Sequence, residues 1–188
     1  MKPEYQAYWL TLRNRFLKDV ELLLQQKRDE SAMLLICSFL DSASSFYAGR
    51  RTEHGVEKSF RAFVSRYLSA FPRISVGDLL FDDSRNRRVN DCVDLLYFCY
   101  RNGLVHEGAL PIGIRLVHPT DNYLFSFNAS GTMEINIPMM YLELQEAIKQ
   151  YESDLETDTT LQSNFAARIE YIERKRFRKE PPSKTNAP

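Results

Sequence analysis

The chain has little of what would place it outside ordinary globular proteins. Its seven glycines and eight prolines among 188 residues are too few for a disordered or fibrous chain, and several of the prolines fall at the far end. Only three cysteines occur, Cys37, Cys92 and Cys99, an odd number with no CxxC pair. That leaves no disulfide framework. Each cysteine sits in an apolar helical pattern, the usual setting of a core thiol, and a reducing cytoplasm is the expected compartment. The histidines His54, His106 and His118 have no Cys or His partner at ligand spacing, so neither a metal nor any other cofactor is expected. No sign of charge dominates: Lys plus Arg number 25, and so do Asp plus Glu. A nucleic-acid partner would have to be held by a local patch. The segment Met1 to Trp9 lacks the apolar core of a signal peptide, and no apolar run reads as long enough to span a bilayer, so no membrane partner is expected.

What is present is helical periodicity. Trp9, Leu12, Phe16, Val20 and Leu23 recur in steps of three and four, one face of a first helix from Tyr5 to Gln26. After a polar break, Asp29 or Ser31 is the expected cap of a second helix carrying Ala32, Ile36, Phe39, Ala43 and Phe46, with Gly49 as its stop. Val56, Phe60, Phe63, Tyr67 and Phe71 mark a third, closed by Pro72. Asp82, Asp83 and Ser84 offer caps for a fourth helix, faced by Val89, Val93, Leu96 and Tyr100.

The period then changes. Ile114 to Val117, Tyr123 to Phe127 and Met133 to Ile137 read as short strands, with turn chemistry at Asn128-Ala129-Ser130-Gly131. They predict a small antiparallel β insertion at about 112–137. Pro138 suits the first turn of a fifth helix with the stripe Tyr141, Leu144, Ile148, Tyr151 and Leu155. Thr157 to Thr160 breaks it from a last helix carrying Phe165, Ile169 and Ile172. The expected organisation is one mainly α domain over 1–179, an antiparallel bundle of four to five helices, with a disordered tail at 180–188.

One short segment stands apart: Tyr100-Arg101-Asn102-Gly103-Leu104-Val105-His106-Glu107-Gly108. In a regular helix Arg101 and His106 would point roughly 140° apart. Gly103 weakens the helix between them, and a bend there would bring the two side chains together. Arg101, Asn102 and His106 resemble the signature of the HEPN superfamily, with four residues between the arginine and the histidine. The helical pattern from Tyr5 to Gly108, and the later helix from Pro138, resembles the bundle of that superfamily.

The resemblance implies a metal-independent endoribonuclease acting as a homodimer, with two motifs facing each other across the interface. It also implies roles in toxin–antitoxin systems, stress response or defence. The chemistry suits the residue types. A histidine titrating near neutrality accepts a proton from a ribose 2′-OH, an arginine fork binds phosphate oxygens, and Asn102 orients either group. The same resemblance covers a second class, a non-catalytic module that binds RNA or nucleotides or serves as a dimerisation scaffold. One feature departs from nucleotidyltransferase-paired toxins of this type: Glu107, Gly108, Ala109 and Leu110 follow the histidine, where a tyrosine is common.

Other residues carry competing readings. Arg101 also suits a helix C-terminus, where cations are stabilised. Arg85, Arg87 and Arg88 are candidate RNA-binding residues, and Arg174, Lys175, Arg176, Arg178 and Lys179 form a second basic run; both also read as solvated faces. Tyr5, Tyr8, Tyr97 and Tyr100 read as stacking platforms or, more commonly, as core. Asp41 reads as a satisfied polar position on the second helix.

Overall fold

The computed structural model describes residues 2–49, 55–69, 91–97, 110, 114–119 and 122–177. In chain order the elements are α1 (Pro3–Gln25), α2 (Asp29–Ala48), α3 (Val56–Tyr67), α4 (Cys92–Asp94), β1 (Ile114–Val117), β2 (Phe125–Phe127), β3 (Met133–Asn136), α5 (Ile137–Thr157) and α6 (Thr159–Phe177). The architecture is mainly helical with one small sheet.

α2 is the hub. It packs against α1, α3, α5, α6 and β1. Met33, Ile36, Cys37, Phe39, Leu40, Ala43 and Phe46 are all buried along it, more than one amphipathic stripe supplies, as a helix wrapped on several sides requires. Its mean hydropathy reaches 1.2 over an 18-residue window, long and apolar enough to cross a membrane by that measure. This corrects the expectation that no such run exists. Burial of 56% of that window inside the fold gives the composition its physical reason: α2 is the centre of the core.

The aromatic residues collect around it. The Trp9 ring lies 5.7 Å from Phe39, 5.5 Å from Phe46, 5.6 Å from Tyr151 and 5.8 Å from Phe165, joining α1, α2, α5 and α6. Phe46 and Phe165 stack at 4.9 Å. Rings in these tilted and edge-on arrangements gain about 0.5–1.5 kcal/mol per pair beyond burial.

The helix ends follow local chemistry. α1 opens with Pro3, whose missing N–H costs nothing in a first turn. It closes with Arg28 N–H donating to the Leu23 carbonyl and Lys27 N–H to the Leu24 carbonyl, both at 2.9 Å, around Lys27 at φ +53°. That is a Schellman closure with lysine in the usual glycine position. α2 ends at Gly49 as expected, in the left-handed region at φ +64°. Its start differs from expectation. Arg28 holds the cap position without a side-chain bond, and Asp29 is the first helical residue. The Asp29 carboxylate instead contacts His118 Nδ1 at 3.2 Å.

α3 leaves helical geometry at Leu68, whose side chain is fully buried, so the helix stops short of the expected Phe71 and Pro72. Those two residues, and the expected caps Asp82, Asp83 and Ser84, lie outside the described residues. Within them, Asp91 caps α4 by accepting from the Asp94 N–H at 2.7 Å. Asn136 caps α5, accepting from Met139 N–H at 3.2 Å, and Pro138 sits in the first turn. The expected break at Thr157 to Thr160 narrows to Asp158, whose carboxylate accepts from the Thr160 and Leu161 N–H groups at 2.9 and 3.1 Å.

The sheet is mixed, a correction to the antiparallel expectation. Its order is β1-β3-β2. β2 and β3 form the expected antiparallel hairpin, but β1 pairs parallel to β3, with Ile114 opposite Met133 and Leu116 opposite Ile135. The chain reverses direction between β1 and β2 and again at the hairpin between β2 and β3, so β3 runs the same way as β1, beside which it lies. The hairpin turn is built on Asn128, whose Oδ1 accepts from Ser130 N–H at 3.0 Å, Ser130 Oγ–H at 2.7 Å and Thr132 N–H at 3.0 Å. On the outer face Arg115 sits opposite Glu134, with nitrogen and oxygen 3.9 Å apart.

Candidate functional site

Arg101, Asn102 and His106 lie outside the described residues, as do Arg85, Arg87, Arg88, Tyr100, Cys99 and His54. The structure does describe how the chain is held just before the motif. Asp94 is almost fully buried, and its carboxylate is ion-paired with Arg61 of α3. Arg61 Nε also donates to Glu57 Oε1 at 3.0 Å, one helical turn earlier. Burial alone would lower the Arg61 pKa, but its bonds to Asp94 and Glu57 outweigh that and hold it above the ordinary value.

After Asp94 the backbone widens into a π turn through 95–97. Such single wide turns often sit beside functional segments. Cys92, Val93, Leu95, Leu96 and Tyr97 are buried, and the Tyr97 ring lies 5.3 Å from Phe60 of α3. Residues 92–97 are therefore seated in the core and tied electrostatically to α3.

Cys37, Cys92, Tyr5 and Tyr97 fall on the structural side. Cys37 and Cys92 are buried free thiols. Burial pushes the Cys92 thiol up to about 12, which removes it as a thiolate nucleophile near neutral pH. Tyr5 and Tyr97 are buried, and Tyr8 is half-buried. Asp41 is half-buried on α2, and its charge acts on Arg168 of α6. The Arg168 guanidinium is lowered by burial, against the opposing pull of Tyr171, Tyr8 and Asp41.

Three polar braces were invisible to periodicity. Glu152 of α5 accepts from Trp9 Nε1–H at 2.7 Å and from Arg13 Nη1 at 2.8 Å, tying α1 to α5 beside a cleft of about 310 Å³. Asp154 accepts from Arg66 Nη2 at 2.7 Å, from the Tyr67 hydroxyl at 3.1 Å and from Gln150 at 3.0 Å. Burial would raise the Asp154 carboxyl, but the bonds from Gln150, Arg66 and Tyr67 carry it below its ordinary range. His118 joins the end of β1 to the start of α2 through Asp29. Each brace commits its charged groups to holding elements together. Among the described residues, no group of three or more His, Cys, Asp or Glu side chains could hold a metal ion.

Fold and site together define a mainly helical protein built around α2, with a mixed three-stranded sheet and an anchored helix leading toward an arginine–histidine segment. The chain belongs to the Rv1289 family, whose pattern matches residues 19–166 and so takes in the end of α1, α2 through α5, the whole sheet and the first part of α6. No curated protein and no solved structure matches the chain.

Proposed function

We propose that this chain is a HEPN-type, metal-independent endoribonuclease, and that its fold is a HEPN-like bundle. The observation that carries the reading is the spacing of Arg101, Asn102 and His106 around Gly103. The mainly helical architecture supports it, as does the anchoring of the chain ahead of the motif by Asp94 and Arg61.

His106 takes the proton of a ribose 2′-OH, and the freed oxygen forms a bond to the adjacent phosphorus. The P–O5′ bond breaks, and the departing 5′ oxygen receives a proton, so that the catalyst ends as it began. Arg101 offsets the charge that builds on the phosphoryl oxygens, through two parallel N–H bonds. Asn102 orients the phosphate or the imidazole. The products are a 2′,3′-cyclic phosphate and a 5′-hydroxyl. The site forms between two copies of the chain, each giving one motif, in a cytoplasmic homodimer serving a toxin, stress or defence role.

The even balance of 25 cations and 25 anions favours a second reading, a HEPN-like module that binds RNA or nucleotides, or dimerises, without cleaving. End-group analysis of digested RNA separates the two. The first reading expects 2′,3′-cyclic phosphate ends and complete resistance of a substrate carrying 2′-deoxyribose at the scissile position. Cleavage of that deoxy substrate at an undiminished rate would refute the first reading.

A further inference from the structure

A cleft of about 270 Å³ opens between α3, the end of α2 and the first turns of α6. Lys58, Ser59, Ala62 and Arg66 line it from α3, and Asp158, Thr160 and Asn164 line it from α6 and its cap. Ser59 is the telling residue. In a helix a serine hydroxyl commonly bonds a carbonyl one turn back. Ser38, Ser42, Ser44 and Ser45 of α2 all do so, at 2.8, 3.0, 2.8 and 2.6 Å. Ser59 is only 9% exposed, yet among the described residues its hydroxyl has no hydrogen-bond partner. A hydroxyl so deeply placed costs free energy unless something in the cleft bonds to it.

Lys58, next in sequence, is exposed, and among the described residues no carboxylate pairs with it. The neighbouring acids are committed elsewhere. Glu57 holds Arg61, and Asp154 holds Arg66, Tyr67 and Gln150. Asp158 gives one oxygen to the N–H groups of Thr160 and Leu161, where the positive end of the α6 dipole offsets its charge. Its second oxygen has no hydrogen-bond partner among the described residues. Asn164 donates its amide to the Tyr47 carbonyl, which leaves its Oδ1 as an acceptor. The cleft therefore offers an ammonium and a hydroxyl from α3, and a carboxylate and an amide oxygen from α6 and its cap. Charged donors of the first kind hold a phosphate, and acceptors of the second kind hold sugar hydroxyls. The volume falls near the lower end of small-molecule sites, roughly 300–1,000 Å³, and suits a single sugar phosphate.

We propose that this cleft binds a small sugar phosphate, with the phosphate on Lys58 and Ser59 and the sugar hydroxyls on Asp158 and Asn164. The site shares no residue with Arg101, Asn102 and His106, and it does not rest on the nuclease reading. The test titrates the full chain with ribose 5-phosphate, with ribose and with inorganic phosphate, and follows the backbone amide resonances by NMR. Ribose 5-phosphate shifts the amides of Lys58, Ser59 and Asn164 and binds more tightly than either ribose or inorganic phosphate. Lys58→Met weakens its binding by about tenfold, and Ser59→Ala by roughly fivefold. Ala62→Phe sets a ring into the cleft from an exposed position and abolishes binding. Lys58 and Ala62 are both exposed, so helical circular dichroism and thermal unfolding stay unchanged in those two variants. No amide shift at millimolar ribose 5-phosphate would overturn the site, as would undiminished affinity in Lys58→Met and Ala62→Phe. Ribose or inorganic phosphate binding as tightly as ribose 5-phosphate would overturn it as well.

Discussion

Arg61 of α3 is ion-paired with Asp94, a carboxylate only 3% exposed at the start of the segment that leads to Arg101. The pair ties α4 to α3. It also creates a liability, because a buried charge that loses its partner keeps its desolvation penalty.

Arg61→Ala therefore destabilises the fold by about 2–4 kcal/mol, since Asp94 is left charged and buried. Arg61→Met combined with Asp94→Leu, which removes both charges and keeps volume, costs much less than that single change. Urea unfolding midpoints of the single and double variants check this. A double variant as unstable as Arg61→Ala would show that packing, rather than the ion pair, anchors α4.

Gly49 ends α2 with φ +64°, and a Cβ built there would lie 2.8 Å from the Asn164 Cα of α6. The obstacle is backbone, so no rotamer change relieves it. Asn164 adds to the closeness by donating from its side-chain amide to the Tyr47 carbonyl at 2.9 Å. Gly49→Ala should cost about 1–3 kcal/mol from left-handed strain and the steric clash together. Thermal unfolding of that variant measures it. A change within about 0.5 kcal/mol would mean α6 does not approach α2 as closely as described.

Asp154 carries a pH signature. Its folded pKa lies below the ordinary value of 3.8 because Gln150, Arg66 and Tyr67 all donate to the carboxylate, against the opposing effect of burial. A depressed folded pKa stabilises the native state at pH values above the unfolded pKa. That contribution is lost as pH falls through the folded value. Wild type should thus exceed Asp154→Asn in stability at neutral pH, and the gap should narrow below about pH 4. Chemical denaturation at a series of pH values reads the gap. A gap independent of pH would assign the effect of Asp154 to something other than its charge.

How far the amino-acid order reveals the fold depends on the range of the interaction involved. The stripes Trp9 to Leu23, Ala32 to Phe46 and Leu144 to Leu155 identify α1, α2 and α5, because helix periodicity is a local property and core burial reinforces it. Met133 and Ile135 alternating with Glu134 and Asn136 identify β3 for the same reason. The direction of β1 against β3 is not local; a four-residue strand pairs equally well either way, and only the path of the chain decides. The bonds of Glu152 to Trp9 and of Asp154 to Tyr67 join residues 143 and 87 positions apart, a separation that no periodicity encodes. The motif Arg101-Asn102-His106 was legible for the opposite reason: its residues are neighbours in sequence. The proposed site further requires a bend at Gly103 and a second subunit, neither of which a pattern of residue types specifies.

The most direct test of the account is the initial rate of RNA cleavage in excess chelator by the unmodified chain, His106→Ala and Arg101→Ala. The account predicts activity that survives the chelator and falls by about a hundredfold or more in each variant, while both remain folded. A His106→Ala protein that cleaves as fast as the unmodified one would contradict it.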